Sequence, residues 1–163
     1  LVTFCATCQA GLRAYAQDKA LGWKPDEAEA WTRGLTPLGA LWGETIFSLL
    51  PGAPMRLAYH RPCHQDLPDP DEAWLSAALG DRLPLVSRKN CCGLGGVMQL
   101  GAPGLCGKVA RACWQVLAPE QEKDAAVAQK SWVLTGCSGC VLQLSATAPD
   151  HTLAAHWLDA LAL

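Results

Sequence analysis

The sequence predicts an α/β fold with a largely parallel sheet and flanking helices. Three observations carry this reading. Short apolar, β-prone runs alternate with longer segments of helical periodicity. The breaks between them hold helix-start and helix-stop residues such as Asp69-Pro70 and Gly80. The cysteines cluster just after predicted strands, where the loops of a parallel sheet share one edge.

The elements follow in order. Residues 1–4 form a strand, and residues 9–21 a helix stopped near Gly22. Pro25 with Asp26 and Glu27 opens a second helix. Thr36-Pro37 fits a cap followed by an N1 proline, which predicts a helix through Leu41, Ile46 and Leu49 that stops at Pro51. Residues 55–60 read as a strand and 61–70 as a loop. Asp69-Pro70-Asp71-Glu72 begins a short helix ending at Gly80. Residues 83–87 are a further strand, and 90–96 a Cys- and Gly-rich turn. A helix from Pro103 or Gly104 runs through Val109, Cys113 and Val116, and residues 120–129 are helical. Residues 131–135 form a strand, and 136–140 turn into a helix. Asp150 is expected to cap a last helix, with Leu153, Trp157 and Leu161 on one face.

Composition narrows the function. The 163 residues suit one domain, or a domain with an extension. Thirteen basic and 15 acidic residues leave a net charge of −2, which argues against a nucleic-acid arm or a polybasic membrane anchor. Charged residues make up 17% and hydrophobic ones 50%, with seven tryptophans. That excludes disorder as the main state and points to a surface that meets a partner or another domain. The start, LVTFCATC, has no basic segment of a secretory signal, so a cytoplasmic location is expected. Leu1 reads as a boundary within a longer protein. The longest charge-free stretch, residues 131–149, carries two glycines, two cysteines and several hydroxyls, and makes a poor membrane span.

Nine cysteines is an odd number, so complete pairing fails. Seven fall in four places: Cys5 and Cys8, Cys63, Cys91 and Cys92, Cys137 and Cys140. Each place follows a predicted strand, so four pieces of chain bring thiols toward one sheet edge. Cys106 and Cys113 lie seven apart on a helix, about two turns, and read as small core side chains. Clustered thiolates suit soft metals and iron–sulfur clusters. Structural zinc usually uses two C-x-x-C knuckles roughly 12–20 residues apart. Here 44 residues separate Cys92 from Cys137. The same thiols could instead form disulfides or a thioredoxin-like C-x-x-C pair, but such a pair leaves Cys91-Cys92 unexplained. Adjacent cysteines point to opposite sides of an extended chain. Gly93, Gly95 and Gly96 supply the freedom for an irregular turn there. The G-L-G-G run lacks the spacing and lysine of a phosphate-binding P-loop. A weak self-similarity links FCATCQAGL to TGCSGCVLQL, each a strand, a C-x-x-C and a helix.

The runs YHRPCH (59–64), NCCGLGG (90–96) and TGCSGC (135–140) resemble the cysteine-rich CCG domain. That family includes heterodisulfide reductase B- and D-type subunits, glycolate oxidase iron–sulfur subunits and lactate-utilisation iron–sulfur proteins. The resemblance covers residues 55–163, about two thirds of the chain, and includes the final HTLAAHWLDALAL as the helix after the last C-x-x-C. It implies a complete module over 53–163, preceded in 1–52 by the tail of a first module and a helical connection. It also implies a [4Fe–4S] cluster, non-cubane in the heterodisulfide reductase relatives, held by Cys63, Cys91, Cys92, Cys137 and Cys140. Cys5 and Cys8 lie near that site, as do His60, His64 and Gly93. The implied function is a redox module of an FAD- and iron–sulfur-dependent oxidoreductase of small 2-hydroxy acids, of the glycolate or D-lactate type. It would pass electrons from a flavin on a partner domain or subunit to a quinone or another carrier, with peripheral membrane association through partners. The chain could instead be a heterodisulfide reductase-like module acting on disulfides, or a structural zinc module.

His60 and His64 flank Cys63. They either line the cluster edge and bind a substrate carboxylate with Arg61, or one orients the loop while the other is solvated. Arg88 and Lys89 either offset an anionic cluster or are solvated. His151 is expected beside a helix cap and His156 on the last helix. The tryptophans mark core or domain interface.

Overall fold

The chain, in a computed structural model, is described at residues 1–43, 48–53, 57–65, 67–83, 90–117 and 131–162. Its elements are β1 (Val2–Thr3), α1 (Ala6–Ala14), α2 (Pro25–Arg33), β2 (Thr36–Pro37), β3 (Ser48–Leu49), β4 (Leu57–His60) and α3 (Pro70–Leu79). There follow α4 (Met98–Gly101), α5 (Pro103–Leu117), β5 (Ser131–Thr135), α6 (Ser138–Ala146), β6 (Thr152–His156) and β7 (Leu161–Ala162).

The fold is α/β, as expected. A three-stranded parallel sheet in the order β4-β5-β6 lies at its centre. Ala58, Val133 and Ala154 share one row of the register, and Tyr59, Leu134 and Ala155 the next. Side chains alternate between faces, so these rows enter different cores. The first row packs with Trp114 and Leu117 of α5 and Leu144 of α6. The second packs with Trp74 and Leu75 of α3 and with Trp157. Both faces are covered, which is why β4 is buried at every position. Two small pairs complete the strands: β1 with β2, parallel, and β3 with β7, antiparallel.

Local chemistry sets the helix starts. The Asp69 carboxylate accepts the amides of Asp71 and Glu72 at 3.0 and 3.3 Å, and Pro70 takes the first helical position of α3. Glu27 reaches back to the Lys24 amide at 2.9 Å to start α2. The helix expected over 9–21 begins earlier, at Ala6, and continues beyond Ala14 as short 3₁₀ turns to Leu21, where Gly22 adopts a φ of 62°. Trp42, Trp74 and Trp157 pack together in the second core, the last two with ring centres 5.2 Å apart.

Two segments expected to be helical form short strands and 3₁₀ turns at their described residues, and Ile46 of the earlier segment lies outside them. Residues 152–156 form β6 against β5, and Trp157–Ala160 is a 3₁₀ turn leading to β7. Small Ala154 and Ala155 fit between the sheet's two covering layers, and pairing overrides the helical propensity of the segment. His151 takes a φ of 63° in the preceding turn rather than flanking a helix cap, and His156 ends a strand. Thr36-Pro37 pairs with β1, and a 3₁₀ turn, Leu38–Leu41, follows it. The strand expected over 83–87 and the helix over 120–129 lie, apart from Leu83, outside the described residues, as do Arg88 and Lys89. Among the described residues no helix is long and apolar enough to cross a membrane.

Candidate functional site

The carboxyl ends of β4 and β5 deliver the first thiols. β4 ends at His60, and a turn closed by the Gln65 amide on the Pro62 carbonyl at 3.1 Å presents Cys63. β5 ends at Thr135, and Cys137 stands at the start of α6 with Cys140 one turn on. His60 ties these loops to Cys91 and Cys92. Its Nε2 lies 2.9 Å from the Asn90 carbonyl, and its Nδ1 3.3 Å from Thr135 Oγ1. A carbonyl only accepts, so Nε2 carries the proton and Nδ1 accepts from the hydroxyl. Burial lowers the His60 pKa, consistent with this neutral form. Of its two expected roles, His60 takes the one that orients the loop.

Cys91 and Cys92 differ in environment, the first exposed and the second buried. Cys91 is exposed, hydrogen-bonds with Cys63, and accepts the Gly93 amide at 3.4 Å. Cys92 is buried and hydrogen-bonds with Cys140. Gly93 follows them with a φ of 89°, and a Cβ there would meet the Cys106 carbonyl at 2.7 Å.

Cys5 joins this group from the other C-x-x-C. The Ala6 amide donates to the Gly136 carbonyl at 2.9 Å, and the Cys5 thiol hydrogen-bonds with Cys137. The side chains of Cys5, Cys137, Cys140 and Cys92 thus run in series, and Cys63 senses the charges of Cys91, Cys92 and Cys137. Cys8 is exposed. All nine cysteines are free thiols. Among the described residues, no three His, Cys, Asp or Glu side chains form a ready-made cage for a single metal ion.

Cys137 is the electrostatic hub. Hydrogen bonds from Cys140 and Cys5 and from Thr7, whose Oγ1 lies 3.1 Å away, hold its pKa far below that of an ordinary thiol. The donors Cys140 and Cys5 are pushed up in turn. Hydrogen bonding with Cys140 draws Cys92 down to about 7, against the opposing effect of burial. Burial raises Cys63.

Several participants escaped the sequence reading. Thr7 bridges Cys137 and His64, at 3.1 and 3.2 Å. Its place inside the first C-x-x-C is the only signal that marks it. Cys113 is core, as expected, yet near enough to feel the charges of Cys92 and Cys91; burial, with those charges, raises it to about 12. The Nδ2 of Asn90 is buried without a hydrogen-bond partner among the described residues. Asp71 lies under Gly136, accepts the Trp157 indole at 3.1 Å, and fixes the turn before Cys137 from below. Arg61, expected to bind a carboxylate, is ion-paired with Glu72. His64 is exposed and bonded to Thr7.

The donor chemistry fits a thiophilic, multi-centre group. The assembled atoms are sulfurs with N–H and O–H donors around them, and the buried Asn90 amide is a donor still to be used. In comparisons with known proteins, no family model, curated protein or solved structure matches the chain.

Proposed function

We propose that the chain is an iron–sulfur redox module of the CCG type, with Cys63, Cys91, Cys92, Cys137 and Cys140 holding a [4Fe–4S] cluster. One observation carries the reading: the five thiols, together with Cys5, interact pair by pair beside the carboxyl ends of β4 and β5. When bound, the cluster supplies a centre that accepts and releases single electrons. The chain's own residues do the rest. Thr7 and the Gly93 amide donate to sulfur, and such bonds tune a cluster's potential. His60 holds Asn90, and with it the start of the Cys91-Cys92 turn, to the end of the sheet.

The module serves an oxidoreductase of small 2-hydroxy acids. A partner domain or subunit would hold the FAD that takes two electrons from the hydroxy acid. The five cysteines would hold the cluster that gives those electrons a one-electron path to a quinone or another carrier. In this reading the assembly works in the cytoplasm, at the inner face of the membrane through its partners.

Electron paramagnetic resonance of the anaerobically reconstituted chain tests the reading. A signal that appears or vanishes on one-electron reduction or oxidation, and is lost in Cys92→Ser, is expected. A chain that takes up zinc alone from a mixture of iron, sulfide and zinc contradicts it.

A further inference from the structure

The chain carries no charge from Asn90 to Gly107, and the residues that bound this stretch, Lys89 and Lys108, are both basic. Within it stand the two most exposed large apolar side chains among the described residues, Val97 at 82% and Leu100 at 87%. Leu105, at the start of α5, is half exposed. The backbone beneath this tip is paired from within. The amides of Met98, Gln99, Leu100, Gly101 and Ala102 all donate to carbonyls of residues 95–98, at 2.7–3.2 Å. Gln99 donates to Gln143 Oε1 at 2.5 Å, which ties the tip to α6. Basic residues follow at once. Lys108 is exposed and stands beside Leu105 on the surface of α5, three residues on. Arg111 is exposed too, and its guanidinium lies back over Gly107, 3.5 Å from where a Cβ would be, one turn closer to the tip. Neither is ion-paired among the described residues.

We propose that this tip is a docking surface for a lipid bilayer that carries anionic headgroups. Backbone amides without partners are costly in lipid, and those of the tip are already paired. Val97, Leu100 and Leu105 enter the boundary between headgroups and acyl chains, while Lys108 and Arg111 beside them meet the lipid phosphates. Side chains that project this far suit insertion among lipids. Val97 lies five residues after Cys92, so docking holds that thiol within about 18 Å of the tip. The contact is the chain's own, beyond any made through partners. It is independent of the cluster, because none of the residues that form it is a proposed iron ligand.

Flotation with lipid vesicles tests this on the full chain, with and without reconstituted iron. The vesicles hold phosphatidylglycerol and phosphatidylcholine in equal parts, and phosphatidylcholine alone is the control without net charge. Binding to the mixed vesicles is expected in both preparations, and binding to phosphatidylcholine weaker by about tenfold or more. Leu100→Ser changes a side chain that is 87% exposed, so the melting temperature stays near that of the parent chain while vesicle affinity falls about tenfold or more. Lys108→Gln combined with Arg111→Gln removes the preference for phosphatidylglycerol. Leu21→Ser, at a half-exposed leucine of another segment, leaves binding unchanged. Failure to bind the mixed vesicles, equal binding to both kinds, or equal effects of Leu21→Ser and Leu100→Ser each overturns the proposal. A chain that ignores vesicles and sediments as a dimer until Leu100 is changed assigns the patch to a second copy, and overturns it as well. Iron content is read separately, so failure here leaves the cluster reading standing.

Discussion

The amide of Ala6 donates to the carbonyl of Gly136 at 2.9 Å, joining the starts of two helices that each begin with a C-x-x-C. Cys5 and Cys137 occupy the same extended position before their helices, with φ of −132° and −146° and ψ of 118° and 117°. The weak self-similarity of the sequence is thus a geometric pairing, and it carries Cys5 into contact with Cys137.

That pairing separates two cysteines that sequence alone treats alike. Cys5→Ser removes a buried thiol bonded to Cys137, and Cys8→Ser alters an exposed one. Iron bound after anaerobic reconstitution falls in Cys5→Ser and stays at the parent level in Cys8→Ser. Equal losses in both variants contradict the arrangement.

Gly93 forms the turn that follows Cys91 and Cys92 with a positive φ. Gly93→Ala places a methyl group 2.7 Å from the Cys106 carbonyl and 3.1 Å from the Ala110 amide, at a φ of 89°. Strain of this kind costs on the order of 1–3 kcal/mol. Urea unfolding is expected to show a loss of that size, together with lower iron uptake.

His60 links Asn90 to the sheet through two hydrogen bonds. His60→Leu leaves the Asn90 carbonyl and the Thr135 hydroxyl without this partner, at a cost of about 2 kcal/mol measured by urea unfolding. The pH dependence has a definite sign. A histidine whose folded pKa is lowered binds its proton less well when folded, so stability falls as pH drops below its ordinary 6.5. The Leu variant lacks this contribution to the acid-side decline.

Asp71 has the opposite dependence. Burial, with the neighbouring charge of Asp69, pushes its carboxyl from 3.8 up to about 7. The folded state then holds a proton that the unfolded chain releases. The effect is absent below 3.8, grows as pH rises, and reaches its full destabilising size above about 7. The slope is at most about 1.4 kcal/mol per pH unit. Asp71→Asn keeps an oxygen for the Trp157 indole and loses the slope. Thermal unfolding from pH 4 to 8 is expected to show the variant gaining on the parent as pH rises, and parallel curves contradict this.

Legibility in the sequence followed the range of the interactions. Asp69-Pro70 announced α3 because the cap is made within three residues. β5 and α6 were legible because an apolar run, two glycines and a C-x-x-C punctuate them locally. Residues 152–156 were misread because the alanine- and leucine-rich tail favours a helix in isolation, while its state is decided by pairing with β5. Thr36-Pro37 was misread similarly: a cap-like dipeptide proved to be the partner of β1. That Cys63 and Cys137 follow strands was legible from the apolar runs before them, and β4 and β5 end there. The parts of Thr7 and Asp71 were not, because hydroxyl and carboxylate acquire their roles only from what folds against them.

The amounts of iron and acid-labile sulfide per chain after anaerobic reconstitution test the central claim most directly. About four of each, with loss in Cys92→Ser and Cys137→Ser, is the predicted result for a [4Fe–4S] centre. A chain that stays folded and binds neither, with its thiols reduced and titratable, contradicts it.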